Sequence, residues 1–318
     1  MSQPLLETIG LKKYFDTTRG PLHAVDDVNI KLDKGKTLGV VGESGCGKST
    51  LGRVVLRLLD ATGGQVIYEG KNILEYSKRQ MDATRQQMQI IFQDPNASLN
   101  PRMTVSEIIA EPIRVRKTIT GRQNIDRKVN EMMQTVGLAE RFVNSYPHEL
   151  DGGRRQRIGI ARALALDPDF IVCDEPVSAL DVSIQAQVLN LLMDLQDDRG
   201  LTYMFITHDL SVVKHISDEI MVMYLGQCVE RAPSDELFAN PLHPYSQALL
   251  SAIPVPNLQA GRARKRQIIK GEVTSPINPK PGCRFAPRCP YAVAECTGSP
   301  IPLIEVSPNH EVACVRCR

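Results

Sequence analysis

The residues Gly42-Glu43-Ser44-Gly45-Cys46-Gly47-Lys48-Ser49-Thr50 fit the pattern G-x-x-x-x-G-K-S/T, a spacing suited to wrapping nucleotide phosphates. Gly42, Gly45 and Gly47 allow successive backbone N–H groups to turn inward onto phosphate oxygens, which a Cβ would obstruct. Ser44 and Cys46 complete the same loop. Lys48 supplies a point charge for the β- and γ-phosphates, and Ser49 a hydroxyl for a magnesium ion. Thr50 is expected to begin a helix whose positive end faces the phosphates.

Further polar groups sit at the ends of apolar runs. Asp174 and Glu175 follow Phe170-Ile171-Val172-Cys173. At such a tip Asp174 is the expected partner of magnesium, and Glu175 the group that polarises water for attack on the γ-phosphorus. Either acid alone would be an ordinary strand terminus. Gln93 follows Met88–Phe92, and its amide is suited to touch the magnesium or the attacking water. His208 follows Tyr203–Ile206 and is suited to contact the γ-phosphate. A lone glutamine in a loop, or a lone histidine, is otherwise structural.

These groups need elements to hold them. Thr37-Leu38-Gly39-Val40-Val41 reads as a buried strand and residues 51–59 as a helix. Residues 24–32, 64–68 and 88–92 read as strands, the second after a Gly63-Gly64 turn. From 104 to 166 the apolar spacing becomes helical, as in Val105, Ile108, Ile109 and in Val129, Met132, Met133, Val136, with Gly137 as a stop. A strand at 170–173, an amphipathic helix at 184–198 and strands at 203–206 and 220–224 then restore a β-α-β rhythm. The expected fold class is α/β, a mostly parallel, helix-covered sheet with a helical insertion near 97–165.

The bulk composition limits the function classes. A chain of 318 residues carries a prior of about two domains, and 42% hydrophobic residues suffice for a sizeable core. A net charge of +2 gives no reason to expect a nucleic-acid or anionic-membrane partner. The run Arg262-Ala263-Arg264-Lys265-Arg266 lacks interleaved aromatics and reads as a solvated linker. No apolar run approaches the ~18–20 residues that span a bilayer, and Met1-Ser2-Gln3-Pro4 opens no signal peptide. The expectation is a chain soluble by itself and cytosolic, for which a membrane role requires partner subunits.

The order of phosphate loop, Gln93, Leu150-Asp151-Gly152-Gly153-Arg154-Arg155-Gln156-Arg157, Asp174-Glu175, Ser178-Ala179-Leu180-Asp181 and Thr207-His208-Asp209 resembles the nucleotide-binding subunits of ABC transporters, over residues 5–240. The resemblance implies a P-loop NTPase ABC ATPase fold with a parallel core sheet, an antiparallel β subdomain and a helical subdomain. It implies ATP and Mg2+ as ligands, with Tyr14 stacking on adenine. Two such subunits close head to tail around two ATP molecules, each held between one phosphate loop and the other subunit's Leu-Ser-Gly-Gly-Gln signature. Asp181 would lie across that interface. Two transmembrane permease subunits would hold the pair at the cytoplasmic face of the membrane.

In the signature this chain departs from the family pattern, with Asp151 in place of serine and Arg154 in place of glutamine, while Gly152 and Gly153 remain. A serine hydroxyl can donate to phosphate, whereas an ionised carboxylate can only accept. An extra charge ~5 Å from phosphate costs about 3 kcal/mol per opposing charge at an effective dielectric of ~20. Neutralisation of Asp151 by Arg154 or Arg155, or capping of the following helix by Asp151, would soften this. The expectation is a heterodimer whose partner carries an intact signature, with one of the two ATP sites weakened.

Five of eight cysteines, Cys283, Cys289, Cys296, Cys314 and Cys317, crowd the last 36 residues, and ten of 21 prolines follow residue 250. In a cytosolic chain such a cluster favours metal over disulfides. Residues 1–252 are therefore read as the ATPase domain, and 253–318 as an extension with a connector over 253–282 and a small Cys-rich module too short for much core of its own. The spacing Cys-x5-Cys-x6-Cys with a later Cys resembles the tail of oligopeptide and dipeptide importer ATPases. By that resemblance Cys283, Cys289, Cys296 and Cys314 bind a 4Fe–4S cluster, with Cys317 spare; zinc, or no metal, stays open. The preceding Asn240-Pro241-Leu242-His243-Pro244-Tyr245 run resembles the same group, with His243 expected to open a helix rather than to ligate. The implied function is ATP hydrolysis driving import of di- and oligopeptides, the solute being selected by permeases and an extracytoplasmic binding protein. Alternatives are a nickel or glutathione importer ATPase, a soluble ATP switch acting on nucleic acid or ribosomes, and an idle regulatory subunit.

Overall fold

The computed structural model describes residues 3–253, 269, 271–272 and 274–317. The basic run at 262–266 and much of the expected connector lie outside the described residues. In chain order the strands are β1 (Leu6–Thr17), β2 (Gly20–Leu32), β3 (Thr37–Val41), β4 (Gly63–Tyr68), β5 (Lys71–Asn72), β6 (Met88–Ile91), β7 (Phe170–Asp174), β8 (Thr202–Ile206), β9 (Glu219–Tyr224), β10 (Gln227–Pro233), β11 (Ile304–Ser307) and β12 (His310–Val312). The helices are α1 (Lys48–Val55), α2 (Lys78–Gln87), α3 (Pro95–Ser98), α4 (Val105–Arg116), α5 (Arg122–Thr135), α6 (Gly152–Leu164), α7 (Val182–Arg199), α8 (Leu210–Ile216), α9 (Ser234–Ala239) and α10 (Pro244–Ser251). They fall into two compact units, one of Met1–Asp33, Thr37–Leu74 and Thr207–Arg318, the other of Lys34–Lys36 and Glu75–Ile206.

The first unit holds an antiparallel sheet in the order β2-β1-β4-β5. Its long β1–β2 hairpin, closed where Thr17 pairs with Gly20, buries Leu6, Leu11, Val25, Val28 and Ile30. The same unit carries neighbouring strands in the order β11-β12-β10-β9-β3. Here β3 and β9 are parallel, and the remaining pairs are antiparallel. All five residues of β3 are buried, which fits their unbroken apolar run. The Cys-rich tail docks on this unit as added strand, with β12 pairing along β10 at Glu230↔Val312. Beneath that pairing, the fully buried Glu230 carboxylate accepts from the Leu242 and His243 amides and contacts His310 Nε2 at 2.8 Å. Three polar partners around one acid compensate the removal of its charge from water. Phe285 of the tail packs edge-on against Tyr224 and beside Tyr245 in the same core.

The second unit has parallel strands in the order β8-β7-β6, with β7 and β8 buried throughout. Its helices follow sequence signals closely. Thr104 and Glu107 form a reciprocal capping box at the start of α4, and α5 stops before Gly137, whose φ of +67° suits glycine. The register of several elements differs from expectation. Helix α1 spans Lys48–Val55 rather than 51–59, since the phosphate loop leads directly into it and Arg57 turns left-handed at φ +49°. Gly63 and Gly64 open β4 rather than forming a separate turn. Strand β1 was not foreseen, because Gly10 and the pair Lys12-Lys13 interrupt its alternation; register shifts lie at those positions.

Candidate nucleotide site

The phosphate loop leaves β3 at Val41 and enters α1 at Lys48. Gly42, Gly45 and Gly47 have φ of +151°, +77° and +107°. A Cβ on Gly42 would lie 2.2 Å from the Met223 carbonyl oxygen, and one on Gly47 would lie 2.0 Å from that of Ala24. Gly42 and Gly47 are required both by backbone conformation and by close approach, and Gly45 by conformation alone. Lys48 is buried at 4% exposure, and its ammonium donates to the Gly42 and Glu43 carbonyls at 2.8 and 3.0 Å. The Cys46 thiol is buried beside it, and burial pushes its pKa up despite Lys48. Thr50 lies inside α1 rather than at its start. Ser49 occupies the first turn of α1. His208 is exposed and follows Thr207, whose N–H donates to the Val40 carbonyl at 3.1 Å, so it stands in the turn beside the end of β3.

Tyr14, on β1, is half-buried. Its ring stacks on His23 with centroids 3.8 Å apart and planes at 19°, and its hydroxyl donates to Asp26 Oδ1. Asp26 in turn accepts from the guanidinium of Arg284, which also donates to the Leu225 carbonyl. Burial alone would raise the Asp26 carboxyl, but Tyr14, Arg284 and His23 together hold it below the usual carboxylate range. Burial and the Asp26 charge push the Tyr14 phenol up, keeping it protonated. The Asp26 amide donates to the Gly226 carbonyl, and the Gly226 amide to that of Cys46, so a two-step backbone chain ties this cluster to the phosphate loop. The loop has a second tether. Glu43 receives a forked pair of bonds from Arg288 at 2.8 and 3.2 Å, while its amide donates to the Tyr245 hydroxyl at 2.8 Å.

In the second unit the structure brings Gln93 and Glu175 together, with Gln93 Nε2 donating to Glu175 Oε2 at 2.9 Å. Asp174 is buried at the end of β7. Glu175 has φ of +47°, a conformation uncommon for a residue with a Cβ and of a kind found at functional sites. The Asp151–Arg154 segment opens α6. Asp151 caps it, its Oδ1 accepting from the Arg154 amide at 2.8 Å and its Oδ2 from the Arg154 guanidinium. Both forms of compensation considered from sequence are thus present, while Arg155 bonds instead to the Pro147 and Leu150 carbonyls and to Asn96. Gly153 packs so closely on Ile184 that a Cβ would approach it to 2.6 Å, and one on Gly152 would reach Leu180 at 3.3 Å. Asp181 precedes α7 and is exposed, and its side chain makes no capping bond.

Cys283, Cys289, Cys296 and Cys314 line one small cavity together with His243 and Phe285, whereas Cys317 does not line it. Burial pushes the Cys283 thiol up to about 11 and raises that of Cys289. As the side chains are placed, no group of three or more His, Cys, Asp or Glu among the described residues forms a metal-holding arrangement. His243 caps α10 through Nδ1, which accepts from the Tyr245 amide at 3.1 Å, as expected for a residue opening that helix. Burial lowers its pKa to about 4, so the ring is neutral and the proton resides on Nε2, which is buried without a hydrogen-bond partner among the described residues.

Sequence reading missed Glu43, His23, Asp26, Tyr245, Arg284 and Arg288 as parts of this site. Arg284 and Arg288 flank cysteines in the chain, and their partners lie 258 and 245 residues away. No local pattern announces such pairs.

The ABC transporter family model matches residues 25–178, and the oligopeptide/dipeptide transporter C-terminal region matches 229–296. The chain is 52% identical over 321 residues to the oligopeptide transport ATP-binding protein OppF of Salmonella typhimurium, covering 98% of this chain and 96% of that one. It is 50% identical to the dipeptide transport ATP-binding protein DppF of Haemophilus influenzae, covering 98% and 96%. Among solved structures, cbiO1 of Clostridium perfringens, part of the ABC transporter complex cbiONQ, superposes with a TM-score of 0.67 at 25% identity, covering 75% of this chain and 92% of that one. The ATP-binding cassette MJ0796, seen as a dimer with ADP and Pi after hydrolysis, gives 0.66 at 26% identity, covering 72% and 98%. No helix among the described residues is long and apolar enough to cross a membrane. An α/β ATPase fold, a glycine-built phosphate loop and similarity along nearly the whole chain make this protein a member of the ABC transporter ATP-binding family, with the C-terminal region of its oligopeptide/dipeptide branch.

Proposed function

We propose that this chain is the ATP-hydrolysing subunit of an importer for di- and oligopeptides, working at the cytoplasmic face of the membrane through two permease subunits. The observation that carries the reading is the phosphate loop: three glycines with positive φ and a buried Lys48 that donates to the Gly42 and Glu43 carbonyls. The loop amides of Gly42–Gly47 and the Lys48 ammonium bind the phosphates. Ser49 and Asp174 are the residues that would hold magnesium, which neutralises phosphate charge when bound. Glu175 orients and deprotonates the attacking water, Gln93 holds that carboxylate in place, and His208 contacts the γ-phosphate. Adenine stacks on the face of Tyr14 that His23 does not cover.

The partner reading follows from Asp151. Its carboxylate occupies the Arg154 amide that an anion at the helix start would use, so the site to which this segment contributes is the weaker one. The proposed assembly is a heterodimer with a second ATPase whose signature keeps serine and glutamine; Asp181 meets that partner. Residues 1–252 form the ATPase domain, and 253–318 the extension.

The donor set fits a metal group in the extension. Four cysteines line a single cavity, and the orphaned Nε2–H of His243 at its wall is a donor suited to a sulfur acceptor. Cys283, Cys289, Cys296 and Cys314 would hold a 4Fe–4S cluster, which would clamp together turns that share little core of their own.

The test is uptake of labelled peptides by vesicles carrying the assembled complex. With Glu175→Gln, hydrolysis and uptake should both cease while ATP binding persists. Continued hydrolysis would sink the catalytic assignment. Hydrolysis stimulated by nickel or glutathione binding proteins, and not by peptide-loaded ones, would sink the substrate class.

A further inference from the structure

Two arginines of the Cys-rich tail reach different parts of the nucleotide site, and each adjoins a proposed cluster ligand in the chain: Arg284 beside Cys283, and Arg288 beside Cys289. Arg284 is 6% exposed and forks between Asp26 and the Leu225 carbonyl. Asp26 fixes the hydroxyl of Tyr14, whose ring would carry the base. Arg288 is 8% exposed and bonds both oxygens of Glu43, the one acidic residue within the loop Gly42–Thr50, and also the Tyr224 hydroxyl. A carboxylate in a phosphate-binding loop opposes its ligand unless neutralised, and a planar, bidentate guanidinium does this where a point charge does not. Strand pairing of β12 with β10 and packing of Phe285 against Tyr224 hold the segment that presents both arginines.

We propose that the Cys-rich tail sets the nucleotide affinity of this subunit, with Arg284 positioning the base platform through Asp26 and Tyr14, and Arg288 neutralising Glu43 in the phosphate loop. The proposal rests on the reading of Gly42–Thr50 and Tyr14 as the ATP site. Both arginines are positioning residues that act through another side chain. Their effects are separable: one belongs to the base and the other to the phosphates. Any change that reorders residues 283–289 acts on both at once, which gives the tail a regulatory use beyond that of a structural staple.

The experiment is equilibrium binding of ATP and of inorganic tripolyphosphate to the full chain, with magnesium present. Arg284→Ala should weaken ATP about tenfold, or about 1.4 kcal/mol, and leave tripolyphosphate within about twofold. Arg288→Ala should weaken both ligands about tenfold, and adding Glu43→Gln should restore both to within about threefold of the parent, because the uncompensated charge is then gone. A tail that serves only as scaffold predicts equal loss for both ligands in both variants and no rescue, and that result would overturn the proposal. Unchanged affinity in both variants would also overturn it. If an arginine variant does not fold, Asp26→Asn and Glu43→Gln address the same contacts from the other side: the first should lower ATP affinity alone, and the second should leave both ligands within about threefold and abolish any Arg288 dependence. Lys48→Ala and Tyr14→Ala serve as controls. Parent-like binding by those two would instead reject the nucleotide-site reading, a different failure from that of the tail.

Discussion

The phosphate loop and the Asp151 segment both set glycines at the start of a helix, yet they are prepared differently for an anion. In the loop the three glycines carry positive φ, and two of them press on neighbouring carbonyls where a Cβ cannot fit. The nearby charge is Lys48, held on the loop's own carbonyls. At the start of α6, Gly152 and Gly153 lie in helical backbone, and their small size serves packing against Leu180 and Ile184. The charge there is an aspartate that already satisfies the Arg154 amide. Glycines at a helix start are therefore not equivalent evidence for phosphate binding. What decides is whether the amides are left for a ligand and which sign of charge stands beside them.

The comparison can be broken or sharpened by experiment. The largest effect is expected at Glu175. Glu175→Gln should lower ATP turnover of the complex about 100- to 10,000-fold, while the Gln93 contact retains an acceptor oxygen; steady-state phosphate release checks this. Lys48→Ala should reduce ATP affinity about 100-fold, measured by titration calorimetry, through loss of charge-assisted bonds. Gly47→Ala should destabilise the chain by more than about 2 kcal/mol, given its positive φ and the carbonyl in its path, whereas Gly152→Ala should cost less than about 1 kcal/mol; denaturant midpoints compare the two. Equal costs would erase the contrast between the segments. Asp151→Ser retains a capping oxygen and removes a charge, so turnover should stay equal or rise by up to about threefold, and a marked fall would show that the carboxylate is used. The pair with Arg154 is half-exposed and contributes little stability either way.

The smallest effect concerns pH. Asp26 has its folded-state pKa held below the ordinary carboxylate value, so the stability it contributes is fully present above about pH 4 and is lost as pH falls through the folded value. Thermal midpoints between pH 6 and 3 should show a downward slope at the acid end that Asp26→Asn reduces. An unchanged slope would mean the ties to Tyr14 and Arg284 do not stabilise the ionised form.

Legibility from sequence tracked the range of the interaction. The strands read at 37–41, 170–173 and 203–206 are short, largely apolar runs bounded by polar residues, a pattern that marks a buried strand. Helix starts at Thr104 and Asp151 are written within four residues by their caps. Strand β1 was hidden, because within it only Leu6, Thr8 and Leu11 are buried and its register shifts near Gly10 and Lys12-Lys13. The tail looked like a module in need of a staple, and the strand it adds beside β10 could not be read from His310-Glu311-Val312 alone.

The sequence by itself marked the phosphate loop, because three glycines open backbone conformations closed to other residues, beside a lysine and a serine suited to phosphate and its metal. It also determined the order of the acid, amide and imidazole groups along the chain. Only the tertiary structure decided that Gln93 bonds Glu175 and that Arg284 and Arg288 reach Asp26 and Glu43. The physical reason is range: backbone strain and capping are set by neighbours in the chain, whereas a buried ion pair forms between residues that only packing brings within 3 Å.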